Sequence, residues 1–447
     1  MIKILIPAGA LGIPYDRAAL AKGLLEKPDL IAIDGGSTDS GPFYLGTGTS
    51  KYSRTATKAD WAELMEVRSK ANIPLIIGTA GTSGADSAVD WMLDLTVEIA
   101  KERGETLKIA TLKSNQPSDR IKRAFADGMI TSLEASPFID DEIIDSCTNI
   151  VALAGIEQIQ MAFDTGADII IAGRTTDTAI IAALPIAKGC HKGAAWHGAK
   201  IAECGALATT NPNSGVILMS FDDTGFTITP MAEDAVATPY TVSAHMLYEN
   251  SDPFILHEPG GYLDVTEAKY NAVSDRVVRV EGSRWHDTMP YRVKLEGARR
   301  AGFQTISLVL VRDQHYVSHI SDWVAALTDS FQRKAARRDL SDVKLELRVL
   351  GRNATLGALE TQAPENGEKA VMAIFTAKTQ AEATEAAKLL NPDLLHLPLS
   401  SNEPMPTFAF PFSPPEMERG ALYEFCFHHV MALNDPMSAF RLDVTEV

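Results

Sequence analysis

Through its first 190 or so residues the chain alternates short β-branched runs with longer stretches that repeat apolar residues at helical spacing. The runs at 2–7, 30–33, 74–77, 108–112, 150–154 and 169–172 each give way to glycine or small polar residues. Short apolar runs bounded by turn residues predict buried parallel strands. Residues 57–71, 84–103, 156–166 and 177–187 predict the intervening helices, the first opening on an N-terminal capping pattern from Thr57 to Asp60. This alternation predicts an α/β domain, a doubly wound and mostly parallel sheet.

The pattern then changes. Residues 216–221 and 226–229 predict a hairpin across 222–225, whereas 235–300 shows few clear periods and reads as a connecting or covering segment. Strands at 305–312, 344–350 and 370–376, helices at 318–338 and 379–390, and a late strand at 440–444 predict a C-terminal α+β sandwich domain with an antiparallel sheet. Seven prolines in 391–420 predict a loop there. The boundary is placed between 1–215 and 216–447.

Charge narrows the function classes. The chain has 41 Lys plus Arg against 58 Asp plus Glu, a net charge of −17, which disfavours nucleic acid and anionic membrane as partners. No run of apolar residues is long enough to span a bilayer, and the N-terminus lacks the features of a signal peptide. The four cysteines, Cys147, Cys190, Cys204 and Cys426, form no CxxC pair, so neither a zinc ribbon nor a disulfide framework is expected. A cytoplasmic location follows. His315 and His319 have metal-like spacing but no acidic partner completes the pattern, and no metal is predicted. GxxxxGK[ST] and GxGxxG are both absent, so no nucleotide and no other cofactor is predicted.

The candidate chemistry lies where the strands end, because ligands of open α/β sheets sit outside the carboxyl ends of the strands. The loops there carry Ser37, Thr38 and Asp39; Lys51; Thr82, Ser83 and Asp86; Asn115; and Arg174 with Asp177. Glycines let the backbone approach a ligand, and hydroxyls and N–H groups at helix starts hold anions. Ser37, Thr38, Lys51, Thr82, Ser83, Asn115 and Arg174 are candidate substrate contacts, and Asp39, Asp86 and Asp177 candidate acids or bases. Each loop taken alone also reads as a tight βα turn. In a helix over 195–205, at about 100° per residue, Lys200 and Cys204 fall within roughly 60° of His197. A thiol beside a cation has a lowered pKa, making His197, Lys200 and Cys204 further catalytic candidates. A buried cysteine beneath a surface helix is the alternative.

The segments 33–42, 78–86, 172–177, 196–205 and 297–302 together resemble the acyclic terpene utilisation (AtuA-like) family. That resemblance implies a cytoplasmic, enzyme-like protein in the breakdown of branched acids, beside acyl-CoA carboxylases, hydratases and organic-acid transporters, without fixing the reaction. The residues themselves point to acid/base chemistry: a lyase (hydration or dehydration) or isomerase acting on a small carboxylate or its CoA ester. The alternatives are a Cys204-dependent thioester or amide hydrolase and a non-catalytic ligand-binding subunit. The expected partner is a small anionic substrate, and a homo-oligomer is expected.

Overall fold

The computed structural model describes residues 1–354, 356–361 and 367–447. The expected strands form at Ile2–Ile6 (β1), Leu30–Asp34 (β2), Leu75–Gly78 (β3), Lys108–Lys113 (β4) and Ile169–Ala172 (β7), with Ile130–Ser132 (β5) and Cys147–Ala152 (β6) between the last two. The predicted hairpin is Ile217–Phe221 (β8) and Gly225–Pro230 (β9). Strands β1, β2, β3, β7 and β4 lie side by side and parallel. They are almost wholly buried, which is why they read as continuous apolar runs.

The sheet departs from the expected mostly parallel one. Beyond β1 it continues antiparallel through β8, β9, Val278–Glu281 and Lys269–Ala272, and beyond β4 through Arg441–Glu446. Four pairings are parallel and five antiparallel, so the ten-stranded sheet is mixed. The run at 150–154 is not one of its strands: β6 pairs antiparallel with residues 295–299 of Tyr291–Val311. Segment 235–300 is strand-rich, and besides the two sheet strands it forms a three-stranded sheet of Ile255–Glu258, Gly261–Asp264 and Arg284–Asp287.

Helices cover both faces of the parallel core. On one face, Arg54–Ala71 (α3) and Asp86–Arg103 (α4) bury Trp61, Met65, Val89, Met92 and Leu95. On the other, Ile156–Asp164 (α7), Ala179–Ala187 (α8) and Lys192–Ala202 (α9) bury Ile159, Ile180, Ile181, Trp196 and Ile201. Each such side chain contributes roughly 1.5–3 kcal/mol through removal from water. Helix α3 starts earlier than expected, at Arg54, because the Ser53 side chain caps it by accepting the Ala56 N–H at 3.3 Å; Thr57 lies one turn in, its hydroxyl bonded to the Ser53 carbonyl.

The chain forms two compact units, 1–299 with 425–447, and 300–424. The 215/216 boundary falls inside the first unit, because β8 and β9 extend the same sheet as β1. The late strand, Arg441–Glu446, also belongs to this unit, paired with β4. In the second unit Lys369–Ala377 pairs antiparallel with Lys344–Leu350 and with residues 303–311. Helices Ile320–Ala336 and Gln380–His396 pack Trp323, Leu327, Leu390 and Leu394 into a core with Val309 and Phe375. The second of these helices runs through Pro392, shortening the expected proline-rich loop.

Candidate active site

The carboxyl ends of β2, β3 and β7 converge in the first unit. Gly84 shows how closely: it sits at φ +65°, and a Cβ there would meet the Arg174 nitrogen at 2.3 Å. Only glycine allows the β3 loop to reach the β7 loop in this way. Thr82, two residues earlier, is β-branched yet has φ 82°. Such strain costs on the order of 1–3 kcal/mol and clusters at functional sites. The loop after β1 joins them through the Leu11 N–H, which donates to the Asp34 carbonyl at 2.8 Å, and it also meets Cys204, whose Cα would lie 3.0 Å from a Cβ on Gly9.

Arg174 is buried, and Glu296 uses its planar fork. Arg174 Nε donates to Glu296 Oε2 at 2.8 Å and Nη2 to Oε1 at 3.5 Å, while Nη1 reaches the Thr79 hydroxyl at 3.3 Å. Glu296 also accepts from Lys294 Nζ at 2.8 Å and from the Thr38 hydroxyl at 3.2 Å. Burial pushes the Glu296 carboxyl up, but Arg174 and Lys294 outweigh it and hold the pKa at about 2. Arg174, a candidate substrate contact, is thus engaged in an internal ion pair, and the more accessible cation is Lys294. A cavity of about 400 Å³ lies here, lined by Thr38, Asp39, Arg174, Lys294, Glu296 and His428.

A second cavity, of about 370 Å³, shares Lys294 and is lined by Leu133, Leu153, Pro259 and Val430 with Thr176 and Glu258. Beside it lies a cluster in which acids outnumber bases. Burial pushes Asp177 up to about 6; Arg174 and Lys200 oppose the rise, and Asp39 and Glu249 add to it. Burial likewise brings Glu258 to about 7, although it accepts from the Thr178 hydroxyl. Glu203 is paired with Lys200; burial drives its carboxyl well above the ordinary range against the pull of Lys200, and Asp177 and Glu258 contribute. Asp34, at the end of β2, is raised by burial and by Asp177, and its Oδ1 has no hydrogen-bond partner. Lys200 is kept cationic: burial lowers its pKa, but Glu203, Cys204 and Glu249 raise it more.

The other expected residues fall into three groups. Thr38 and Asp39 line the first cavity with Arg174, and the Ser37 hydroxyl caps the turn that presents Asp39. Thr82 and Ser83 are buried and absent from the lining of either cavity; Thr82 Oγ1 accepts the Lys51 N–H at 3.2 Å, and Lys51 Nζ reaches the Ser40 hydroxyl. Asp86 and Asn115 clip two loops together. The Asp86 carboxylate accepts the N–H groups of Ser114 and Asn115, and the Asn115 side chain accepts that of Asp86. These bonds occupy the start of α4, so Asp86 serves as a strut.

His197 and Lys200 lie three residues apart within helix α9, and Lys200 acts electrostatically on the Cys204 thiol, which lies past the helix end. Helix α9 ends at Ala202, so the helical projection stops before Cys204. His197 is fully buried between the Ser283 hydroxyl at 2.7 Å and the Tyr270 hydroxyl at 3.1 Å, and burial depresses its pKa to about 3. The Cys204 thiol is not activated as expected: burial and Glu203 push its pKa up, against Lys200. The groups that sequence reasoning missed are Asp34, Glu203, His245, Glu258, Lys294 and Glu296. Four of these lie beyond residue 240, away from the glycine-rich loops that marked the rest.

The model of the family described as acyclic terpene utilisation family protein AtuA matches residues 46–403, so the chain belongs to that family. No curated protein and no solved structure matches it. Among the described residues no helix is long and apolar enough to cross a membrane.

Proposed function

We propose that this chain is an acid/base enzyme, a lyase or isomerase, acting on a small carboxylate or its CoA thioester in organic-acid or acyl-CoA catabolism. The observation that carries the reading is the pair of carboxyls, Asp177 near 6 and Glu258 near 7, of which Glu258 lines a cavity together with the cations Lys294 and Arg292. Neighbouring acids whose environments separate their pKa values divide the work of base and acid at neutral pH. Asp177, ionised at pH 7, takes a proton from carbon next to the acyl group. Glu258, still partly protonated, returns one to the leaving oxygen or to the neighbouring carbon. Lys294 holds the carboxylate or thioester oxygen, and Leu133, Leu153 and Val430 accept an apolar acyl chain. The raised Cys204 pKa weighs against the thiolate hydrolase.

The test is deuterium incorporation. Branched acyl-CoA esters and free acids are incubated with the protein in heavy water and the acyl carbons read by mass spectrometry. Exchange or turnover is expected, falling by about 10²–10⁴-fold in Asp177→Asn. Binding of these ligands with neither exchange nor turnover would overturn the reading in favour of a binding subunit.

A further inference from the structure

Glu203, Cys204 and His245 bring a carboxylate oxygen, a sulfur and an imidazole nitrogen to within 4.8 Å of one another. We propose that these three side chains bind a divalent transition-metal ion of the zinc, cobalt or iron(II) type, leaving one coordination position open toward the acid cluster.

Three observations support this assignment independently of the reaction. The first is the donor set. Sulfur, nitrogen and oxygen together suit borderline metals and are poor for magnesium or calcium. Three protein ligands with a further position for water or substrate is the arrangement of catalytic zinc sites. The second is His245, only 4 % exposed, whose Nε2 has no hydrogen-bond partner. A buried ring nitrogen without a partner costs about 1–3 kcal/mol unless something binds it. The same ring donates a hydrogen bond to the Lys200 backbone carbonyl, the outer support that metal-ligating histidines use. The third is charge. Asp177, Glu203, Glu249 and Glu258 act on this site together, and Lys200 is the cation among them. Lys200 bonds Glu203 Oε1, leaving Oε2 to coordinate. A dication offsets the surplus of acid.

Ligand–metal bonds of about 2.0–2.3 Å place tetrahedral donors about 3.3–3.8 Å apart, so the side chains need to close by roughly an ångström. On binding, the Cys204 S–H bond breaks, its proton goes to solvent, and the sulfur electron pair forms the metal–sulfur bond. The thiol that is inert as a free nucleophile thus becomes a ligand, as thiols do on metals.

The experiment is cobalt(II) titration of the chelator-treated full chain, with zinc competition and metal analysis. One cobalt per chain is expected, giving a thiolate-to-cobalt charge-transfer band in the near ultraviolet and strong visible bands of a tetrahedral ion, both bleached by zinc. Cys204→Ser should abolish the charge-transfer band, and His245→Ala should weaken affinity at least tenfold to a hundredfold. Cys190→Ser, remote from the group, should leave both unchanged. The wild-type spectrum decides the matter even if a variant misfolds. Absence of a charge-transfer band in wild type, or its persistence in folded Cys204→Ser, would overturn the proposal. Neither readout depends on catalysis, so it stands or falls apart from the acid/base function.

Discussion

Glu296 and Glu258 are the same residue type in similarly dry surroundings, yet one is held near 2 and the other lifted to about 7. The difference lies in the company each keeps. Glu296 faces two cations and a hydroxyl, so its region is electrically closed. Glu258 sits among Asp177 and Glu203 with Lys200 as the opposing charge. A closed cluster holds a shape, whereas a cluster with surplus acid exchanges protons or accepts a cation. The first therefore reads as scaffold and the second as chemistry.

The sharpest way to break this contrast is to remove each acid in turn. Glu296→Ala leaves Arg174 buried without its partner and should cost about 3–5 kcal/mol in chemical denaturation. Glu203→Gln keeps an acceptor for Lys200 and relieves the crowding with Asp177 and Glu258, so it should cost less than Glu296→Ala; equal losses would erase the distinction.

Acidity provides the next test. Asp177 rises from 3.8 to about 6 and Glu258 from 4.5 to about 7, so between those values the folded state holds protons that the unfolded state has lost. Their contribution is full below the unfolded values and is lost as pH rises through the folded ones. Glu296 acts oppositely: its contribution is present above 4.5 and is lost as pH falls toward 2. With chelator present, melting should be highest near pH 5 and fall by pH 8, by about 1–2 kcal/mol after allowance for solvent near the half-buried Asp177. A steady rise in melting temperature from pH 5 to pH 8 would contradict the surplus-acid reading.

Smaller effects refine the picture. Arg174→Lys keeps the charge but loses the fork to Glu296 and the bond to Thr79, and should cost about 1–2 kcal/mol with ligand affinity changed less than in Lys294→Ala, as calorimetry would read. Thr82→Gly removes an unfavourable φ and should leave stability within about 1 kcal/mol of wild type, strain relief offsetting the loss of the bond to the Lys51 N–H.

The sequence pattern made the scaffold region legible and the chemical region only in part. Apolar runs ending in glycine or small polar residues located β1, β2, β3, β4 and β7, and with them Arg174 and Asp177, because burial on both faces leaves a strong local signal. Glu258, Lys294 and Glu296 project from antiparallel strands, whose alternating residues look like ordinary half-exposed surface until their partners are known. His245 lies in a short turn with no periodicity. The wheel ends two residues before Cys204, and what it could not show there is burial, which outweighs the pull of Lys200 on the thiol.

The strand Arg441–Glu446 covers the outer edge of β4, and β4 leads into the loop that clips Asp86. In order of synthesis, this last strand arrives more than 300 residues after its partner, once the whole of 300–424 has been made. Until then β4 presents an unpaired row of backbone groups, a template for a foreign strand. A growing chain therefore carries an adhesive edge for most of its time on the ribosome, and a premature stop anywhere before residue 441 makes that edge permanent.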